Sequence, residues 1–427
     1  MKSILRVSVC MILLALACGL APADVLKITV NDTIHPIADE FIGRALDRAA
    51  REKHDAVLIE LSTPGGLVDS TRKIVEKILA SPVPVIIYVA PSGSRAASAG
   101  FFILQSADVA AMAPGTNTGA AHPVIFGSEK MDTVMKEKME NDAAAFMRSF
   151  VSKRGRNVEL AESAVRQSKS FTDQEALAQK LVDVVAADEQ DLLKQIDGRV
   201  VTRFNGTKAT LRLAGKRVVP MEMTLKQQIL SFIMDPNVAF ILFSIGMLAI
   251  YAEFNNPGAI LPGVIGLICV LLAVFAFNIL PTRYAAVAMI LGAFVLFALE
   301  VKFVSHGVLG AGGVLLMVLG ALLLVDSPIP EMRVHLATAL AVSVPIGIIT
   351  VFLLTIVMKA RKGKVVTGEQ GLVGEIGVAR TPLAPEGKVF VHGELWDAVA
   401  TVNVQEGDRV LVRRVEGLRL QVEPVKK

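Results

Sequence analysis

The chain has 427 residues, 53% of them hydrophobic and 20% charged, with a formal net charge of +4 and a mean hydropathy of +0.54. That length exceeds one ordinary domain, and so small a charge, with no basic run interleaved with aromatics, argues against a nucleic-acid partner. The three cysteines, Cys10, Cys18 and Cys269, all lie in apolar stretches, so no disulfide framework, metal site or cofactor is expected of the polar parts.

Charge and hydrophobicity occupy different stretches. Charged residues run from Lys27 to Lys226, nearly vanish between Val238 and Met358, and return from Lys359 to Lys427. At the N-terminus Lys2 and Arg6 precede an apolar core, Val7 to Leu20, and then Ala21-Pro22-Ala23. This is the layout of a secretory signal with cleavage before Asp24, the alternative being an uncleaved anchor; either one exports the polar stretch that begins at Asp24. Leu16-Ala17-Cys18 loosely matches a lipoprotein cleavage site, and a hydrophobic cysteine within a removed segment is the blander reading.

From Val25 to about Asp197 strand and helix patterns alternate. Val25–Val30, Ala56–Leu61, Val83–Val89 and Val109–Met112 read as strands, with helices over Ile37–Arg51, Val68–Leu79, Ser98–Gln105 and about Asp132–Lys153. Short Val- and Ile-rich runs separated by helices predict a mostly parallel α/β sheet. Apolar spans are then expected near Val238–Glu253, Ala259–Leu280, Tyr284–Leu299, Val308–Val325 and Leu336–Met358. Lys359, Arg361, Lys362 and Lys364 come directly after the last span and mark that end as cytoplasmic. An exported N-terminal domain and five crossings give the same answer. Val366 to Val425 alternates short Val/Leu-rich runs with Gly and acidic turns, which argues a small β-barrel.

Two glycine-containing turns come after predicted strands, Ser62-Thr63-Pro64-Gly65-Gly66-Leu67 and Pro91 through Gly100. Open α/β sheets bind ligands at the carboxyl ends of their strands, where both turns fall. Glycines let backbone N–H groups approach a reacting atom, and such donors can stabilise an oxyanion. Ser98 lies among Ala96, Ala97, Ala99 and Gly100 at a predicted helix start, where the helix dipole favours developing negative charge. Close packing alone would also explain small residues there.

Ser62-Thr63-Pro64-Gly65-Gly66, then Ala96-Ala97-Ser98-Ala99-Gly100, then Met112 through Pro123 together resemble the ClpP-class peptidases of the NfeD family. The resemblance extends to Glu386-Gly387-Lys388-Val389 and Gly393-Glu394-Leu395-Trp396 near the C-terminus. It implies an α/β ClpP/crotonase-like protease domain, an α-helical multi-span membrane region and a small all-β OB-fold-like barrel. The corresponding divisions are a signal peptide over 1–23, the protease domain over 24–215, a linker or amphipathic segment over 216–235, about five spans over 236–358 and the barrel over 359–427.

The resemblance further implies a serine–lysine dyad, with Ser98 the nucleophile and Lys138, ahead of Gly155-Arg156-Asn157, the base. Helical periodicity alone does not select Lys138. It lies at the edge of the Met135–Met139–Phe146–Phe150 face, and Lys136 lies nearer the centre. His122 is a rival base, with Asp183 available to orient it as in soluble ClpP. The oxyanion donors expected are the N–H groups of Gly66, Gly65 and Ala99. Substrates implied are apolar segments of membrane-associated proteins, notably stomatin-like ones, cleaved at the cell (inner) membrane by a homo-oligomer facing away from the cytoplasm. A non-enzymatic scaffold for a stomatin-like partner is the main alternative. A crotonase-type acyl-CoA enzyme and a signal-peptide peptidase are the others. The barrel reads as a protein-interaction domain, and the lipid bilayer is the remaining partner.

Overall fold

Six parallel strands form the main sheet, in the order Val218–Pro220, Val25–Asn31, Ala56–Ser62, Val85–Val89, Val109–Met112 and Val184–Val185. The computed structural model describes residues 24–124, 133–255, 258, 260–303, 305–327, 329–361 and 369–425. The expected signal segment and Lys362 and Lys364 lie outside the described residues. The strands read as continuous apolar runs because both faces of the sheet are covered. Val57, Ile59 and Leu61 enter one core beside Ile28, Ile87 and Phe101, whereas Leu58 enters a second beside Ile86, Tyr88 and Leu192. Helices Pro36–Glu52, Val68–Ala80, Ala99–Ser106, Thr133–Val151 and Val158–Arg166 supply the first core, and Glu189–Ile196 the second.

A smaller sheet of Arg95–Ala97, Asn117–Gly119 and Ser170–Thr172 stands beside the carboxyl end of the main one. Its three-residue strands are too short to leave a hydrophobic period in the sequence. Segment 216–235, expected as a linker, is folded onto the domain instead. Val218 and Val219 pair in parallel with Val25 and Leu26, so the sheet runs past the expected boundary at 215. Helix Leu225–Ile233 then carries a Thr224/Gln227 capping box, and buried Gln227 donates to Glu40 at 3.0 Å. Leu225, Ile229 and Phe232 of this helix remain exposed at helical spacing.

Four stretches among the described residues, Pro236–Phe254, Leu261–Ile279, Tyr284–Lys302 and Pro330–Thr350, are long and apolar enough to cross a bilayer. Helix Val308–Leu323, at 16 residues, is a shorter apolar element. The first two helices touch through glycine: a Cβ on Gly246 would sit 2.8 Å from the Gly266 carbonyl oxygen, the small-residue contact by which membrane helices approach closely. At the C-terminus Ile376–Ala379, Glu386–Val391, Glu394–Ala400, Arg409–Glu416 and Arg419–Pro424 close into a barrel. Val389, Ala398, Val410, Val412 and Leu420 fill it, and Trp396 packs partly buried against them.

One ionic node ties the first domain together. Asp108 accepts from Arg154 at 2.5 Å, from Arg203, and from the Val85 N–H at 2.9 Å. Both guanidinium groups are nearly enclosed, so removing their shared carboxylate leaves two buried charges without a counter-ion. Asp108→Ala is expected to cost about 3–5 kcal/mol, read as a lower unfolding midpoint of the full chain in detergent. An unchanged midpoint contradicts this.

Candidate active site

Ser98 joins strand Arg95–Ala97 to helix Ala99–Ser106 at φ 53°, ψ −111°. A residue bearing a Cβ seldom takes a positive φ, and such strain, of order 1–3 kcal/mol, persists only where neighbours over-determine it. They do so here. Ser98 N donates to Gly119 O at 2.8 Å, Ala97 N to Thr63 O at 3.1 Å, and Phe101 N to Ser98 O at 3.0 Å. The Ser98 side chain makes no capping bond to its own helix, which leaves the hydroxyl free for another partner.

The Gly65-Gly66 turn lies against it. Ile34 N donates to Gly65 O at 2.8 Å and Leu67 N to Ile34 O at 2.8 Å. In a trans peptide the C=O and N–H point in opposite directions, so the Gly66 N–H is turned away from Ile34. The same rule turns the Ala99 N–H away from Phe101, as one of the unpaired donors at a helix start. Gly66, Ser98 and Ala99 line a single cavity. Gly65 differs from the expectation, because its N–H is engaged by Thr63 Oγ1 at 3.2 Å. Neither glycine tolerates a side chain: a Cβ on Gly66 would lie 2.2 Å from Ile34 O, and one on Gly65 2.9 Å from Ser98 Cβ.

The cavity is lined by Val68, Phe102, Val124, Phe146 and Ile329, and by the polar His122 and Arg72. His122 Nδ1 lies 3.0 Å from Val165 O. A carbonyl can only accept, so Nδ1 carries the proton and Nε2 keeps its lone pair. Asp183 is not its orienting partner. It binds Arg156 at 2.7 Å, Arg199 at 2.8 Å and the Ala110 N–H at 2.8 Å, which overturns the expected His122–Asp183 pair.

Lys138 stands exposed on helix Thr133–Val151, about 7.5 Å along the axis before Ala143, which does line the cavity. It shares a helical stripe with Asp142. Asp142 pairs with Arg72, whose guanidinium lies 4.5 Å from the Phe146 ring centroid. The stripe therefore leads to Arg72, which lines the cavity, although Lys138 does not line it. Lys136 is exposed as well. Met135, expected on the apolar face, is also exposed, and the face that packs is Ala144, Met147, Phe150 and Val151.

Three family models match the chain in succession. Residues 24–203 match the NfeD1b N-terminal domain, 237–356 the NfeD integral membrane domain, and 369–424 the NfeD-like C-terminal, partner-binding domain. The Membrane-bound protease PH1510 of Pyrococcus horikoshii is 32% identical over 397 residues, spanning 90% of this chain and 89% of that protein. This chain belongs to the NfeD family. It is accordingly a multi-pass membrane protein. Membrane protein NfeD1b of Bacillus subtilis is 28% identical over 426 residues, spanning 93% of this chain and 92% of the relative. Among solved structures, a lysine-to-alanine variant of the 1510-N membrane-bound stomatin-specific protease, in complex with a substrate peptide, is 33% identical. It covers 50% of this chain and 99% of its own, with a TM-score of 0.47.

This NfeD-family chain also brings together a second serine, histidine and aspartate, which periodicity did not reveal. Ser231 Oγ lies 2.9 Å from Asp32 Oδ2 and 3.3 Å from His35 Nε2, and His35 Nε2 lies 3.2 Å from Asp32 Oδ2. The arrangement does not activate Ser231. His35 Nδ1 accepts from the Ile37 and Ala38 N–H groups, so Nε2 carries the proton and has no lone pair to offer. The cluster is a latch that holds helix Leu225–Ile233 to the loop after the first strand.

Burial pushes the Asp183 carboxyl up, but Arg156, the Ala110 N–H and Arg199 more than offset this and hold it below the usual carboxylate range. A lowered folded value means that its stabilisation is complete above the unfolded value, about 3.9, and is lost as pH falls through the folded one. Asp183→Asn should therefore lower the melting temperature at pH 7 and flatten the acid limb below about pH 4. Parallel melting curves for the two proteins contradict this.

Proposed function

We propose that this chain is a membrane-bound serine peptidase in which Ser98 is the nucleophile and Lys138 the base that takes its proton. The observation that carries the reading is the strained Ser98 lining one apolar cavity with Gly66 and Ala99, whose N–H groups are turned away from Ile34 and Phe101. The Ser98 Oγ–H proton passes to the neutral Lys138 amine as Oγ bonds to the peptide carbonyl carbon. The oxyanion is received by Gly66 and Ala99, an arrangement worth about 3–4 kcal/mol per donor. The proton then goes to the leaving nitrogen as the C–N bond breaks, and water hydrolyses the acyl-enzyme by the reverse transfers.

A lysine serves as base only when burial or neighbouring positive charge makes its neutral form accessible. Lys138 is exposed in the free protein, so bound substrate has to cover it and draw the first turns of its helix inward. Catalytic contacts often tighten only in the substrate complex. A specific observation favours His122 as a second reading for the base: it lines the cavity with its Nε2 lone pair unprotonated.

The apolar walls suit apolar substrate segments, and the Pyrococcus horikoshii protease is described as specific for a stomatin homolog. A stomatin-like membrane protein is therefore the proposed substrate or partner, with the barrel, which matches a partner-binding domain, as its docking element. For topology we place the peptidase domain outside and the barrel in the cytoplasm. The basis is Lys359 and Arg361 in the closing turn of helix Leu336–Arg361, and the placement requires helix Val308–Leu323 to cross. At about 24 Å that helix is short of the bilayer core and needs local thinning.

The test is hydrolysis of apolar peptides by the full chain in detergent. Ser98→Ala and Lys138→Ala are each expected to lower kcat/KM by at least about 10²-fold, with His122→Ala close to wild type. Loss with His122→Ala and retention with Lys138→Ala moves the base to the histidine. Cleavage that survives Ser98→Ala overturns the reading. Gly66→Ala is expected to lose about 10²–10³-fold in kcat, because its Cβ displaces the turn from Ile34; wild-type turnover by that variant removes the turn from the mechanism.

A further inference from the structure

The cavity beside Ser98 is not built by the peptidase domain alone. One wall is Ile329, which lies far along the chain in the connection between helices Val308–Leu323 and Leu336–Arg361. A Cβ on Gly65 would lie 2.9 Å from Ser98 Cβ, 3.1 Å from Ile329 Cδ1 and 3.3 Å from Ser98 Oγ. The isoleucine methyl thus stands at the same glycine that the nucleophile packs against.

The connection that holds Ile329 there is a built structure. At one end Asp326 N donates to Pro281 O at 2.9 Å and the Asp326 carboxylate pairs with Arg283 at 2.9 Å. At the other end His335 N donates to Asn237 Oδ1 at 2.9 Å. Between them a 3₁₀ turn spans Pro330–Met332, Ile329 N donates to Ser327 Oγ at 3.1 Å, and the Arg333 guanidinium donates to Ser327 O. Ser327 and Met332 are buried. Two residues beyond Ile329, Glu331 pairs with Arg95, three residues before Ser98. The segment is therefore tied to the membrane helices at its ends and to the nucleophile's own strand at its middle.

We infer that Ile329 is a specificity-determining residue: the connection between the last two membrane helices supplies a wall of the substrate pocket, and Ile329 sets how large a side chain enters beside the scissile bond. The inference rests on the peptidase reading of Ser98. The cavity measures about 60 Å³ with Ile329 in place, so a branched four-carbon side chain at its edge governs much of the room. Glu331 and Arg95 act as positioning residues that keep the wall upright.

The experiment uses the full chain in detergent micelles and peptides that differ only at the residues flanking the cleaved bond, with Ala, Val, Leu or Phe there. Ile329→Ala is expected to shift the kcat/KM ratio of the Phe to the Ala peptide upward by about tenfold, the scale on which a few methylenes are discriminated in an apolar pocket. Glu331→Gln should move the same ratio in the same direction by less, and Ile329→Leu should leave it near wild type. An unchanged ratio in Ile329→Ala overturns the inference. An equal rise for every peptide also overturns it, since that is the signature of a removed plug. Ser98→Ala run beside them separates the two readings. If it abolishes cleavage while the ratios stay fixed, the wall fails and the peptidase stands; if cleavage persists in it, the peptidase reading fails and the wall with it. A wild-type protein that cleaves none of the peptides has the same consequence for both. Melting curves of each variant exclude unfolding as the cause of lost activity.

Discussion

The catalytic end of this molecule depends on one steric constraint, the thickness of a bare backbone at Gly65-Gly66. On one side Ile34 bonds Gly65 O and Leu67 N, and on the other Thr63 bonds Arg95 O and Ala97 N. The gap between them admits peptide but no Cβ, with 2.2 Å to Ile34 O at Gly66 and 2.9 Å to Ser98 Cβ at Gly65. Because the turn is held flat, the Gly66 N–H cannot rotate toward Ile34. Because strand Arg95–Ala97 is pinned to the same turn and to Asn117–Gly119, Ser98 is held at its positive φ. The strain of the serine and the direction of the donors thus have one cause.

The same constraint gives the membrane region a place in the site. A turn without side chains leaves room above Ser98 for another chain segment, and Ile329 stands there from the connection between the last two membrane helices. A peptidase whose pocket is completed by its own membrane region is suited to substrates presented at the bilayer. The exposed Leu225, Ile229 and Phe232 of the helix that precedes the first span fit an interfacial position, held to the domain by the Asp32–His35–Ser231 latch.

How much of this could be read from the sequence depends on the range of each interaction. Strands such as Ala56–Ser62 are legible because burial on both faces writes a continuous apolar run, and Ser98 because small residues crowd a strand-to-helix junction. Four of the five expected spans are legible because charges thin out within them, whereas Val308–Leu323 is an apolar helix too short to be counted with them. Strands Asn117–Gly119 and Ser170–Thr172 are not, since three residues carry no period and their pairing is long-range. The fold of 216–235 onto the domain was hidden for the same reason, because Val218 and Val219 look like linker until they meet Val25. The pattern of a triad makes Asp183 available to His122, and only the positions of Arg156 and Arg199 show that its charge is already matched. Ile329 left no local signal at all, as it is an isoleucine beside prolines whose neighbour lies at the other end of the chain.

The most direct measurement for the central claim is covalent trapping of the nucleophile. Full-length protein in detergent is treated with a fluorophosphonate carrying an apolar alkyl group, digested, and the adduct located by mass spectrometry. The account predicts one modified residue, Ser98, with labelling that slows sharply in Lys138→Ala. Labelling of Ser231 or another serine, or an adduct that forms equally fast without Lys138, contradicts it.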